Sequence, residues 1–392
     1  MDHNFHALAK SLEPEMIARR RDFHRHPELG FQEFRTAEIV AKELNTLGLE
    51  VRTGVGKTGV VGLLEGDRPG PIILLRFDMD ALPITEANQV DYVSQTPGVM
   101  HACGHDGHTA IGLGVAKMLT PLRKEIAGTL KFVFQPAEEG LGGAEAMVAD
   151  GVMRDPVPER SLALHLWNDQ PLGWVAATDG PCMAASERFA ITLQGKGGHG
   201  ASPFLAKDPV AASAQIISAL QTVVARNVNA LESAVVSVTA VKAGEAFNVI
   251  PDSAELRGTI RTFKPAVREV VLRRVREIVE GVARAMECEP TVDLRSITPA
   301  VANDLTMAAE VRELARSLPG VTTVVDGDRT MGSEDMAFMM QDVPGCYFFV
   351  GSANVEKALD FPHHHPRFDF DERALAQGAA LMAKAAARYV LK

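Results

Sequence analysis

The chain has 392 residues, enough for about two or three domains at roughly 150 residues each, and 46% of them are hydrophobic, an ordinary fraction for a protein with a buried core. Its formal net charge of −10 argues against nucleic acid or an anionic membrane surface as the main partner. No apolar run approaches the roughly 20 residues of a membrane span, and the opening MDHNFHALAKSLEPEM has no apolar signal core, so no export is expected.

In chain order, residues 15–25 and 36–47 read as helices. The second carries apolar Ile39, Val40, Leu44 and Leu47 and is stopped by Gly48. Residues 60–64 and 72–75 are short apolar runs bounded by Gly and Pro, the pattern of strands buried on both faces. Residues 130–134, 161–164 and 347–350 repeat it, with helical stretches between several of them. The fold class is therefore α/β, a mostly parallel mixed sheet flanked by helices. The middle of the chain differs. Residues 188–193 alternate, and a helix starts at Asp208-Pro209, an N-cap followed by a first-turn proline. Residues 235–241 and 254–261 read as strands, 265–285 as a helix and 291–294 as a last strand. The order β-α-β-β-α-β is ferredoxin-like. The expectation is a ferredoxin-like α+β domain, 184–296, inserted into a discontinuous domain of 1–183 and 297–392.

The stretch His101-Ala-Cys-Gly-His-Asp-Gly-His108 places a thiol, three imidazoles and a carboxylate in eight residues. Cysteine and histidine bind borderline-soft metals such as zinc. Gln135-Pro-Ala-Glu-Glu-Gly140, Leu164-His-Leu166 and Pro362-His-His-His-Pro366 carry similar chemistry. Asp78 and Asp80 follow one predicted strand, Glu138 and Glu139 a second, and His165 a third, at the carboxyl ends where open α/β sheets bind ligands. Cys103, His105, Glu139, His165 and one of His363, His364 or His365 make five candidate ligands. That is too many for one tetrahedral catalytic ion with its water, and two metals fit the count better. Adjacent glutamates allow one to bind metal while the other acts as general base. A lone Cys or His is usually packing or surface. Cys182, Cys288 and Cys346 are read as packing, His24 and His26 as surface, and His101 and His108 as structural or supporting. Asp78 and Asp80 are read as orienting ligands from behind. The four cysteines are too scattered for a disulfide framework and fit a reducing cytoplasm.

These residues, together with Arg76-Phe-Asp-Met-Asp-Ala-Leu-Pro83, Gly195-Lys-Gly-Gly-His-Gly-Ala-Ser-Pro203, Ala246-Phe-Asn-Val-Ile-Pro251, Gly332-Ser-Glu-Asp335 and His364-His-Pro-Arg-Phe-Asp-Phe-Asp371, stand in an order that resembles a known family. It is that of the zinc-dependent amidohydrolases and exopeptidases that include hippurate hydrolase, indole-acetyl-amino-acid hydrolase, aminoacylase and glutamate carboxypeptidase. The likeness is to the hippurate hydrolase branch and spans nearly the whole chain. It implies two divalent metal ions per subunit (Zn, or Mn, Co or Ni) held by Cys103, His105, Glu139, His165 and His364, with Glu138 as the base and Asp80 as the supporting carboxylate. The residue at 363 is usually apolar in that branch, so His363 departs from the pattern. The resemblance further implies that the inserted domain forms a homodimer and acts as a lid. His199 would help hold the scissile carbonyl, in its own or the neighbouring subunit's site, and Asn248 and Arg261 would face the substrate carboxylate. The expected activity is hydrolysis of small-molecule N-acyl amino acids to a carboxylic acid and a free amino acid. The alternatives are a dipeptidase or exopeptidase and an N-carbamoyl-amino-acid hydrolase. A non-catalytic sensor or carrier on the same scaffold is disfavoured, since base and ligands are all present.

Overall fold

The computed structural model describes residues 3–391. The chain divides into two compact units, the first made of residues up to 182, 301–329 and those from 335 on, the second of 183–300 and 330–334.

The first unit is built on an eight-stranded sheet. Its strands run, edge to edge, Glu50–Val55, Gly59–Glu65, Ala127–Gln135, Arg68–Asp78, Arg160–Pro171, Gly345–Ala353, Trp174–Ala176 and Thr323–Val325. The central four are mutually parallel. Antiparallel pairs flank them. Gly345–Ala353 is buried along its whole length, as its apolar Tyr347-Phe-Phe-Val350 core requires of a strand covered on both faces. The helix His105–Leu119 is buried at nearly every position. Its Ile111, Leu113 and Val115 share one core with Leu75, Phe132, Leu164, Phe348 and the C-terminal helix residues Leu375 and Leu381.

Two local expectations need correction. The opening helix runs Phe5–Arg25, starting ten residues before the predicted position and passing through Pro14. The Asn4 side chain caps it by accepting from Ala7 N at 3.0 Å, so Pro14 is not a first-turn residue. His24, expected at the surface, is fully buried. It lies one helical turn from Arg20, also buried, and both reach the same carboxylate, Asp106: Arg20 Nε at 2.8 Å and His24 Nδ1 at 2.7 Å. His24 Nε2 stands 3.1 Å from Glu86 and Arg20 Nη2 2.7 Å from Asp369. These carboxylates are what make a buried imidazole and guanidinium tolerable. His26 is half-buried.

The second unit has a four-stranded antiparallel sheet in the order Ala234–Ala243, Ser253–Thr262, Ala185–Gln194, Glu289–Thr298. Helices Pro209–Asn227 and Pro265–Ala285 join its strands in the β-α-β-β-α-β order of the ferredoxin-like fold. Asp208 caps the first helix, accepting from Val210 N at 2.8 Å. Val271, Val275, Val279 and Ala283, spaced by four, bury one stripe of the second helix against Ile191, Leu193 and Leu256 in a core separate from that of the first unit. The short return 330–334 was not foreseen. It joins this unit through Gly332, whose carbonyl accepts from Ala184 N at 2.9 Å. Among the described residues, no helix is long and apolar enough to cross a membrane.

Candidate metal centre

The site is assembled where parallel strands end together. Asp78 closes its strand in register with Gln135 of the neighbour, so Asp80 and the Glu138-Glu139 pair leave the sheet side by side. Cys103 and His105 are separated by Gly104, whose φ of 94° turns the chain into the helix that His105 begins. His165 does not follow its strand, as expected, but lies inside it. Arg160–Pro171 pairs with the Arg68–Asp78 strand only as far as Ala163. It continues because Gly345–Ala353 supports its other side, with His165 opposite Phe349.

These elements bring the candidate ligands together. Ligand atoms of Cys103, His105 and His165 all lie within 4.8 Å of one another, as do those of Cys103, Glu139 and His364, and those of His105, Glu138 and Glu139. The groups overlap through Cys103, His105 and Glu139. Cys103 Sγ is 3.5 Å from His165 Nε2. The His165 Nδ1–H donates to the Leu166 carbonyl at 2.7 Å. A carbonyl only accepts, so Nε2 carries the lone pair. His105 repeats the device, donating from Nδ1 to the Asp80 carbonyl at 3.0 Å. Its Nε2 is buried without a hydrogen-bond partner. Glu139 Oε1 is also buried without a well-aligned hydrogen bond, 3.2 Å from His364 Nε2. Buried lone pairs facing one another are costly unless something positive joins them. Thiolate, imidazole and carboxylate together suit a divalent transition metal, so the residues fit such ions. Burial, and after it Glu139, holds the Cys103 thiol well above its usual range, and burial holds His165 well below its own. A bound divalent cation reverses such a thiol shift.

Supporting groups fix these side chains. Asp80 stands 3.2 Å from His105 Nδ1 through Oδ1 and accepts the Glu139 backbone N–H at 3.0 Å through Oδ2, so one carboxylate orients two candidate ligands. Asp78 accepts from His108 Nδ1 at 2.6 Å, and His108 Nε2 accepts from Leu166 N at 2.9 Å. Both ring nitrogens of His108 are thus engaged within the protein. His101 is buried with neither ring nitrogen hydrogen-bonded, and burial pushes its pKa down to about 4.

The three C-terminal histidines separate. His364 sits at φ 65°, held by its N–H to the Ala102 carbonyl at 2.7 Å, and faces Glu139 and Cys103. His363 turns away into a slot between His165, Trp167 and Phe368. There its Nε2 accepts from Asn168 N at 3.1 Å. Burial pushes its pKa down to about 3. His365 stacks on Phe361.

The other candidates lie in the ferredoxin-like unit. His199 is exposed, on a two-residue strand opposite Val249, its Nδ1 accepting from Ala201 N at 3.0 Å. Asn248 is brought beside it, since its carbonyl accepts from Gly200 N at 2.8 Å. Arg261 is half-buried on the strand Ser253–Thr262, donating to the Ile260 carbonyl and Thr259 Oγ1. Burial lowers its pKa. Among the described residues, no hydrogen bond or ion pair joins Arg261 to His199 or Asn248. Sequence reasoning missed Glu33, buried against the entry to the glutamate loop. A carboxylate at a helix start ordinarily reads as a cap, and nothing local signals a partner 104 residues away.

Comparison with known proteins agrees with this geometry. The model of peptidase family M20/M25/M40 matches residues 74–388. The N-acetylcysteine deacetylase of Bacillus subtilis (strain 168) is 39% identical over 378 residues, covering 96% of this chain and 97% of that protein. Thermostable carboxypeptidase 2 of Saccharolobus solfataricus is 38% identical over 385 residues, covering 97% and 96%. The crystal structure of the Bacillus subtilis YXEP protein, described as a dinuclear metal binding peptidase from the M20 family, matches with a TM-score of 0.84 at 36% identity, over 97% of this chain and 99% of that one. The chain belongs to peptidase family M20/M25/M40 and is an enzyme of that amidohydrolase and peptidase family.

Proposed function

We propose that this enzyme hydrolyses the amide bond of N-acyl amino acids, hippurate-like compounds among them, releasing a carboxylic acid and a free amino acid. The observation that carries the reading is the adjacent glutamate pair. Glu139 falls among the candidate ligands of the cluster, with Cys103 and His364, and Glu138 groups with His105 and Glu139. Cys103, His105, Glu139, His165 and His364 would hold two divalent ions, Zn or one of Mn, Co and Ni. When bound, such ions lower the pKa of water and polarise a carbonyl. Glu138 accepts the proton of the attacking water and returns it to the leaving amine. Asp80 keeps the His105 ring and the Glu139 backbone in place. His199 supports the negative charge that develops on the carbonyl oxygen. Asn248 and Arg261 take the carboxylate of the amino-acid half, for which a guanidinium is suited. The ferredoxin-like unit would pair with its twin in a homodimer.

The deacetylase relative favours the acyl-amino-acid reading, and the carboxypeptidase relative at similar identity favours cleavage of a C-terminal peptide bond as the second. A panel of N-acetyl, N-benzoyl and N-carbamoyl amino acids and dipeptides, run with metal analysis of the same sample, decides between them. N-acyl amino acids are expected to give the highest kcat/KM. Preference for dipeptides replaces the reading by the second, and turnover in exhaustively demetallated protein removes the metal from both.

A further inference from the structure

The loop that carries the two glutamates enters through Ala137, a non-glycine residue in the left-handed region at φ 53°. Such a conformation persists only where its surroundings over-determine it. Here three contacts do. Glu33 accepts the Ala137 N–H at 2.8 Å. The Ala137 carbonyl accepts from Gly143 N at 3.1 Å. Gly30 packs so close that a Cβ there would stand 3.0 Å from the Cα and Cβ of Ala137.

Glu33 does not do what its position suggests. It precedes the helix Phe34–Thr46, yet its side chain does not cap that helix. Glu28 does so instead, accepting from Arg35 N at 2.9 Å and Thr36 N at 2.8 Å. The second oxygen of Glu33 accepts from the Thr58 hydroxyl at 2.5 Å. Both residues are buried, Glu33 completely. A carboxylate is thus taken out of water, at considerable cost, to hold one hydroxyl and one backbone amide. That amide belongs to the residue before Glu138. Within the pair, the Glu139 N–H is held by Asp80. The backbone of the pair is therefore held at two points, at Glu139 by Asp80 beside the candidate ligands and at the preceding Ala137 by Glu33.

We propose that Glu33 is a positioning residue: by fixing the left-handed Ala137 peptide it sets the direction in which Glu138 and Glu139 leave the sheet. This rests on the reading of Glu138 as the base, and the test keeps the two separable. Glu33→Leu removes the acceptor and leaves the Ala137 N–H buried and unpaired. Supporting residues behind a metal centre typically contribute about 10–100-fold, so kcat is expected to fall by that order with KM little changed. Amide hydrogen exchange in the segment 136–140 of the metal-free protein should accelerate. Glu33→Gln keeps an acceptor for Ala137 and a group for the Thr58 hydroxyl, and should restore most of both. Ala137→Gly, placed in the Glu33→Leu background, supplies a residue that adopts positive φ freely. It should recover part of kcat below the unfolding transition of either variant, which a purely stabilising Glu33 does not predict. Unchanged kcat or unchanged exchange at 136–140 in Glu33→Leu overturns the proposal, as does a Gln variant as damaged as the Leu one. Should Glu33→Leu not fold, Thr58→Val, which removes the second anchor of Glu33, must show a weaker form of the same exchange and kcat signature, and its absence overturns the proposal equally. The exchange measurement uses neither metal nor substrate. If Glu138→Gln turns over normally, the base assignment falls while exchange still judges the clamp.

Discussion

The two units treat their candidate functional residues in opposite ways. In the first, Cys103, His105, Glu139 and His165 are largely enclosed, and His105 and Glu139 are oriented by one carboxylate, Asp80. In the second, His199 is exposed and Asn248 is tied to it only through backbone. Arg261 spends its hydrogen bonds on its own strand. Preorganisation resides in the first unit. The first unit fixes its ligands before anything binds, so its lesions should act on metal and on chemistry. The second holds its groups through local backbone and their own strand, with no carboxylate shared between them as Asp80 is, so its lesions should spare the metal.

The sharpest way to break that contrast is Glu138→Gln. The amide cannot take a proton from water, so kcat should fall by at least the 10²–10⁴-fold of general acid–base catalysis, while metal content by elemental analysis stays at the wild-type level. Near-normal turnover with metal bound moves the base elsewhere. Glu139→Gln is the counterpart within the same loop and should lose metal first.

His199→Ala comes next. Removing one donor to a developing oxyanion costs about 10²–10³-fold in kcat, and here it should do so with metal content unchanged. Mixing this protein with Glu138→Gln then asks whose site His199 serves. If sites are shared across a dimer, heterodimers regain activity, because one of their two sites has both residues intact. If each chain uses its own His199, none returns. A monomeric mass at working concentration rules sharing out.

Asp80→Ala should have a smaller and mixed effect. Partners that orient ligands are worth about 10–100-fold in affinity or activity, and Asp80 holds both a ring and a backbone. Metal affinity by competition with a chelator should weaken within that range. Unchanged affinity would make Asp80 a structural carboxylate only.

The sequence made one side of this contrast more legible than the other. Strand ends are announced by apolar runs, so Asp80, Glu138 and Glu139 could be placed at one edge of a sheet from local pattern. Asp208-Pro209 announced a helix start. What escaped depends on pairings with no local signal. His24 reads as a surface residue because the carboxylates that let it be buried, Glu86 and Asp106, lie 62 and 82 residues on. His165 looks terminal because the run ends there, while its strand continues on support from Gly345–Ala353. The residues alone leave the choice among His363, His364 and His365 open and the resemblance points to His364; the left-handed backbone there is something periodicity does not encode.

The smallest predicted effect concerns Glu33, an acid that the first unit encloses fully without assigning it to metal. Burial, with the charge of Asp80 adding to it, raises the pKa of Glu33 from 4.5 to about 6, against the opposing hydrogen bonds from Thr58 and Ala137. Between those values the folded chain binds more protons at this position than the unfolded chain. By linkage, stability then falls as pH rises. The contribution is fully present below about pH 4.5 and is lost as pH passes through about 6; at 1.36 kcal/mol per pKa unit it amounts to about 2 kcal/mol. Glu33→Gln carries no proton to titrate and should lack this component. Thermal unfolding of the metal-free protein from pH 4.5 to 7 measures it, because the wild-type midpoint should decline relative to that of the Gln variant across the window. Parallel curves would mean that burial does not cost Glu33 its charge. The clamp on Ala137 would then be held by an ordinary carboxylate, and the preorganisation of the first unit would be less costly than its burial suggests.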